Sequence, residues 1–375
     1  MIKFLKHKKF WLPLIIITII LVTVELLLRL NLYNGFVKPD SYLGNSFERV
    51  KALNNFGKDK IQWITVGDSR VDWGIDHKKL RHIRKENGIN HLRMSFRGAS
   101  FMAIQATIDW SIENMDSLEG VLVGVSEDKI SHRHSYNELY NIAWPFKNYL
   151  NFHDYNSILI DKKQWRFYYS LALVTFYKDI KNFISNPVDR YMEIKKFGSK
   201  ETAKVFDYKR ANSSNLCSFR LDSIESCIKT AEIFKKSGQE QAGFRLPVKL
   251  CSTYLAKRRS KTNSPVAPVI DKKSIVDAWQ HLIEHVLNSG KKFYLLLLPD
   301  HEMYNYMIKP SNSAEITEQI ILKFQDHPNF LLIDLRNLIK PNQHCKFYSD
   351  TLHFNNKGID LITKETIRFF NQNTQ

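Results

Sequence analysis

The stretch Ile61-Gln-Trp-Ile-Thr-Val-Gly67-Asp68-Ser69-Arg70 passes from an apolar run into a polar turn. It reads as a buried strand feeding a tight loop with a serine at its tip. Far downstream, Ser349-Asp350-Thr351-Leu352-His353-Phe354 places a histidine three residues after an aspartate. A serine on a strand-end loop with a distant Asp/His pair is the residue set that nucleophilic acyl transfer requires.

Working outward from that strand, residues 90–96, 119–125, 291–299 and 330–335 have the same character. Between them lie charged or apolar-periodic stretches at 77–87, 101–115, 273–289, 313–326 and 356–370, which predict helices. Strand and helix in this rhythm indicate parallel βαβ units. The expected fold class is α/β, a three-layer α/β/α sandwich around a parallel sheet. In such sheets ligands bind at the carboxyl ends of the strands. Ser69, Arg97-Gly98, Ser126 and Asp300-His301 each follow a predicted strand, and the Asp350/His353 loop follows the last.

The rhythm breaks from about residue 129 to 271. Between Asp161 and Lys261 there are 22 Lys/Arg and 10 Asp/Glu, which supply +12 of the chain's net +17. Lys257-Arg258-Arg259 with Lys261 is the densest cluster. This segment reads as a largely helical basic insertion, and its charge suggests an anionic partner or a solvated surface. Trp144, Trp165 and the Tyr168-Tyr169 pair could stack on sugar rings, although aromatic residues more often belong to a core.

The N-terminus sets the expected compartment. Lys3, Lys6, Lys8 and Lys9 precede an apolar run from Phe10 to Val24, followed by Glu25, Leu26 to Leu28 and Arg29. A basic flank, roughly 20 mostly apolar residues and no small-x-small cleavage site predict an uncleaved signal anchor. Residues 1–30 are thus read as a cytoplasmic basic tail and transmembrane helix, 31–60 as a juxtamembrane connector, and 61–375 as an outward-facing domain. The expected location is a single-pass cell (inner) membrane protein with an extracytoplasmic or periplasmic domain, which removes nucleic acid as a partner. Glu25 and Arg29, at i, i+4, are spaced to pair. Cys217, Cys227, Cys251 and Cys345 allow three pairings, and no Cys/His spacing suggests a metal or other cofactor.

Gly67-Asp68-Ser69, Gly98 after the second strand and Asp350-Thr-Leu-His353 before the last helix together resemble the SGNH/GDSL hydrolase superfamily. The resemblance covers about residues 61–128 and 272–370. It implies that Ser69 is the nucleophile, His353 the general base and Asp350 its orienting partner. The backbone N–H groups of Ser69 and Gly98 would be oxyanion donors. The family's third block, Gly-x-Asn-Asp, stands here as Gly124-Val125-Ser126-Glu127. Ser126 is therefore the expected third donor, with Arg70, Arg97 or a group from the insertion as substitutes. Asp68, Arg70, Arg97 and His301 are candidate site-lining residues.

With the anchor, the chain is similar to the membrane-anchored extracytoplasmic O-acyltransferases. The resemblance implies acyl transfer, O-acetyl or similar, to or from a cell-surface or exported glycopolymer through an acyl-Ser69 intermediate. An anionic glycopolymer or acylated sugar would be the substrate, with a membrane-bound protein as acyl donor. The alternatives are an extracytoplasmic carbohydrate esterase or lipase, in which water is the acceptor, and a non-catalytic glycopolymer-binding or assembly protein.

Overall fold

A computed structural model of the chain describes residues 8–131, 136–155, 164–198, 205–207, 209, 271–301, 312–349 and 352–373. In chain order the elements are α1 (Lys8–Arg29), α2 (Tyr42–Phe56), β1 (Trp63–Gly67), α3 (Ser69–Gly74), α4 (His77–Glu86), β2 (His91–Arg93), α5 (Phe101–Asn114) and β3 (Gly120–Val125). There follow α6 (Glu127–Ile130), α7 (Tyr136–Ala143), α8 (Phe152–Tyr155), α9 (Gln164–Ser170), α10 (Ala172–Ser185) and α11 (Pro187–Gly198). The chain then returns to the sheet through α12 (Lys272–Asn288), β4 (Lys292–Leu297), α13 (Ser313–Phe324), β5 (Phe330–Asp334), α14 (His344–Phe347) and α15 (Asn356–Asn373).

The five strands are all parallel, in the order β2-β1-β3-β4-β5. Successive side chains on each strand enter two different cores. Ile64, Val66, Val121, Val123, Phe293 and Leu295 pack beneath α5, α12 and α13. Trp63, Leu122, Tyr294 and Leu296 pack on the other face, beneath α4 and α15. A sheet covered on both faces needs near-continuous apolar strands, which is why β3 and β4 read as unbroken hydrophobic runs. The strand order reverses direction at β1 and β3, and the carboxyl ends of those strands border the crevice where such sheets bind ligands.

Residues 31–60, a connector by sequence, carry α2. Ser41 caps it by accepting from the Gly44 N–H at 2.9 Å, and Leu43, Ala52 and Leu53 are buried in the first core. Their helical spacing is masked in sequence by the polar residues between them. The insertion is helical where described (α7 to α11). Its basic cluster at 257–261 lies outside the described residues, as do Cys217, Cys227 and Cys251. Cys345 is disulfide-bonded. The span Trp11–Arg29 has a mean hydropathy of 2.6 and is almost wholly exposed, so α1 is long and apolar enough to cross a membrane.

Candidate functional site

Ser69 opens α3 at the carboxyl end of β1. Asp68 caps that helix, its carboxylate accepting from the Arg70 N–H at 2.9 Å. Two glycines set how closely α3 approaches the sheet. Gly67 and Gly124 face each other across β1 and β3. A Cβ on either would come within 2.5 Å of the Val71 side chain. Val71 therefore sits directly on the two strands, and Ser69 is held at their rim.

Arg49 of α2 anchors the same helix from the other side, donating to the buried Asp72 carboxylate at 2.7 Å. Ser95 adds a bond to the same oxygen at 3.1 Å. Burial pushes the Asp72 carboxyl up, but Arg49 and Arg93 reverse this and leave it below its ordinary range.

His353 comes from a loop that the chain closes on itself. Tyr348 and Phe354 form an antiparallel bridge. The Ser349 N–H and hydroxyl both donate to the His353 carbonyl, at 2.8 and 3.0 Å. Tyr348 ties the loop to the end of β4 by donating to the Pro299 carbonyl at 2.7 Å. The result is a 3.0 Å contact between Ser69 Oγ and His353 Nε2. The imidazole also packs on Trp73, with ring centroids 4.7 Å apart. Trp73 lies one turn beyond Ser69 on α3, so one short helix supplies both the hydroxyl and the platform for the histidine. The only sequence signal for Trp73 is its i+4 spacing from Ser69. Asp350, the expected orienting residue, lies outside the described residues.

Gly98 stands at the third position of a turn from Phe96 to Ala99, closed by the Ala99 N–H on the Phe96 carbonyl at 3.1 Å. Its φ of +72° is accessible to glycine at little cost and strained for other residues. The Phe96 N–H donates to the Gly67 carbonyl at 2.9 Å, which sets this turn beside the Ser69 loop. Among the described residues, neither the Ser69 nor the Gly98 N–H has an acceptor. Both are available to an oxyanion.

Ser126 departs from the expectation for a third donor. It is buried, and its one O–H donates to Asp128 Oδ1 at 2.5 Å while its oxygen accepts from Arg70 Nη1. Arg70 is also committed. Nη1 and Nη2 bond the two Asp128 oxygens at 2.6 and 2.7 Å, and Nη1 reaches Asp300 at 2.6 Å. Burial raises the Asp128 carboxyl, but Arg70 and Ser126 more than reverse it, holding it well below the ordinary range. This network joins the ends of β1, β3 and β4 behind the nucleophile. Asp128 is the residue that sequence reading missed here. Its signal is the Ser-x-Asp spacing directly after β3.

Arg97 lies at the rim, donating to the Asp40 carboxylate at 2.9 Å and lying over the Trp73 and Tyr42 rings. His301 is buried against His344 and Tyr348, so it supports the loop that holds His353. Trp144 is buried in the core, whereas Trp165 and Tyr168 are exposed. Among the described residues, no group of three His, Cys, Asp or Glu is arranged to hold a metal ion.

The arrangement provides a hydroxyl bonded to an imidazole and two backbone donors at the carboxyl ends of the strands. It can support proton removal from Ser69 and stabilisation of a tetrahedral oxyanion. No protein-family model and no curated protein matches the chain by sequence.

Proposed function

We propose that the protein is a membrane-anchored, outward-facing serine enzyme of SGNH type that moves an acyl group to or from a glycopolymer. The observation that carries this reading is the 3.0 Å contact between Ser69 Oγ and His353 Nε2, at the strand ends where a parallel sheet binds ligands. In the first half-reaction His353 Nε2 takes the Ser69 proton as Oγ attacks the acyl carbonyl. The Ser69 and Gly98 N–H groups hold the resulting oxyanion. Its collapse expels the donor's alcohol, which leaves with the proton from His353. In the second half-reaction a sugar hydroxyl gives its proton to His353 and attacks the acyl-serine; collapse releases the acylated sugar as His353 returns the proton to Ser69 Oγ.

Water in place of the sugar makes the same residues an esterase. The engagement of Ser126 by Arg70 and Asp128 favours a third reading, a non-catalytic glycopolymer-binding domain, because it leaves two oxyanion donors rather than three. Treating the detergent-solubilised full chain with a fluorophosphonate probe separates these readings. A covalent adduct on the peptide containing Ser69, lost in His353→Ala, supports the acyl-enzyme route. Folded protein that forms no adduct sinks it. Supplying sugar acceptors to the acylated enzyme then distinguishes transferase from esterase.

A further inference from the structure

We infer that α9, with the side chains of Trp165, Phe167 and Tyr168, seats in the outer headgroup layer of the membrane that α1 crosses, and so fixes the domain's orientation on the bilayer. The inference rests on the reading of α1 as a membrane span and goes beyond it. The nineteen residues Trp11–Arg29 measure about 28 Å as a helix, close to a bilayer's hydrocarbon thickness. The outer boundary therefore falls at the turn from Glu25 to Arg29.

That turn is bonded to the domain rather than trailing into a tether. The Glu25 carboxylate accepts from the Ala172 and Leu173 N–H groups at 2.9 and 2.8 Å, capping α10. Arg29 Nε donates to Glu25 at 2.6 Å, and its Nη2 to the Ser170 carbonyl at 3.1 Å. The end of α9 and the start of α10 thus share the depth of the span's last turn. A seven-residue helix is about 10 Å long, so all of α9 lies within about 10 Å of that depth. Backbone groups in a water-poor layer need internal partners, and Glu25 provides two of them.

The side chains at this depth suit lipid. Trp165 is 46% exposed, Phe167 74% and Tyr168 47%. Leu30 and Leu32, just past the span, are also exposed, so the apolar surface of α1 continues onto the foot of the domain. Tryptophan and tyrosine concentrate at the membrane interface, where an apolar ring and a polar edge are both accommodated. Lys147 completes the setting. Its ammonium lies over the Trp144 ring at 4.0 Å, and burial and the nearby Arg29 charge lower its pKa. Lys147 therefore stands beside Arg29, at the depth of the span's last turn.

The tryptophans allow a direct test. Trp63, Trp110, Trp144 and Trp279 are buried, Trp73 is half-buried against His353, and only Trp11 and Trp165 are widely exposed. The full-length protein is placed in nanodiscs of phosphatidylcholine and phosphatidylglycerol, with acyl chains plain or brominated near the headgroup. Trp165→Phe is expected to remove about half of the emission that the brominated lipid quenches, and Trp11→Phe the rest. Circular dichroism checks that both variants fold. An unchanged quenched fraction in Trp165→Phe overturns the inference. If Trp11→Phe still loses quenching in that case, the span stands and only the foot is lost. Shielding of Trp165 from both brominated lipid and acrylamide would mean that a protein covers it, which also overturns the inference. Quenching of Trp165 without quenching of Trp11 would remove the span and, with it, the placement of α9 in the outer layer, which also overturns the inference.

Discussion

The hydroxyl of Ser69 lies 3.0 Å from Nε2 of His353, a residue 284 positions later in the chain. This single contact joins two unremarkable local motifs into the hydroxyl–imidazole pair on which the proposed acyl transfer rests. Replacing either partner should abolish turnover of an activated acyl ester. A loss of on the order of 10⁴-fold or more is expected for Ser69→Ala and for His353→Ala. Neither change should alter the stability by more than about 0.5 kcal/mol, because both side chains are partly exposed. Steady-state kinetics with thermal melts on the same samples checks both expectations.

Gly98→Ala tests the second oxyanion donor. A methyl group there meets only ordinary contacts, at 3.5 Å from Ile142, so the cost arises from the φ of +72°. Relief of about 1 kcal/mol of strain would rotate the turn and move its N–H. Turnover is expected to fall by up to ~10²-fold with KM changed much less. A proportionate rise in KM with kcat unchanged would place Gly98 in substrate binding instead.

Arg70 should act through position rather than contact with substrate. Arg70→Met leaves Asp128 and Asp300 buried together without their cation, and breaking a buried pair in this way costs about 3–5 kcal/mol. Arg70→Lys keeps the charge but loses the two-pronged bond to Asp128, and should recover part of the stability. Denaturant unfolding of the three proteins gives the order wild type, Arg70→Lys, Arg70→Met. Equal stability in all three would remove the network from the account.

Two histidines inside the fold predict acid sensitivity. Burial, followed by the Arg93 charge, lowers the His77 pKa to about 3. Burial, followed by the Arg84 charge, takes His91 well below its ordinary value. Below about pH 6.5 the unfolded chain binds these protons and the native protein does not. The stability they contribute is therefore complete above 6.5 and lost as pH falls toward about 3. The slope should reach about 2.7 kcal/mol per pH unit for the pair. In His91→Phe it should fall to about half, read from urea unfolding at a series of pH values.

Much of the scaffold is legible in the chain itself. Strands buried on both faces must be apolar throughout, so β1, β3, β4 and β5 lie where unbroken runs predict them, each to within two residues at either end. Helices α5, α12 and α13 follow from apolar periodicity and their stops. Helix α2 escaped because its buried face is interrupted by Arg49 and Ser46, polar residues with partners inside the protein. Nothing local reveals that Arg49 will meet Asp72. Ser126 illustrates the same limit. Its type and position suggest a hydrogen-bond donor, but the neighbour that accepts its hydrogen bond, Asp128, also binds an arginine from a different strand end.

The sequence by itself determined the parallel α/β rhythm, the apolar N-terminal helix and the residue types that could perform acyl transfer. These are properties of periodicity and of side-chain chemistry, which a local window carries. Only the tertiary structure decided which of them meet. It set His353 on Ser69 and on Trp73, turned Arg70 and Ser126 inward to Asp128, and joined Glu25 to the start of α10. Each pairing depends on distances between elements far apart in the chain. Those distances are set by core packing, which no short stretch of sequence contains.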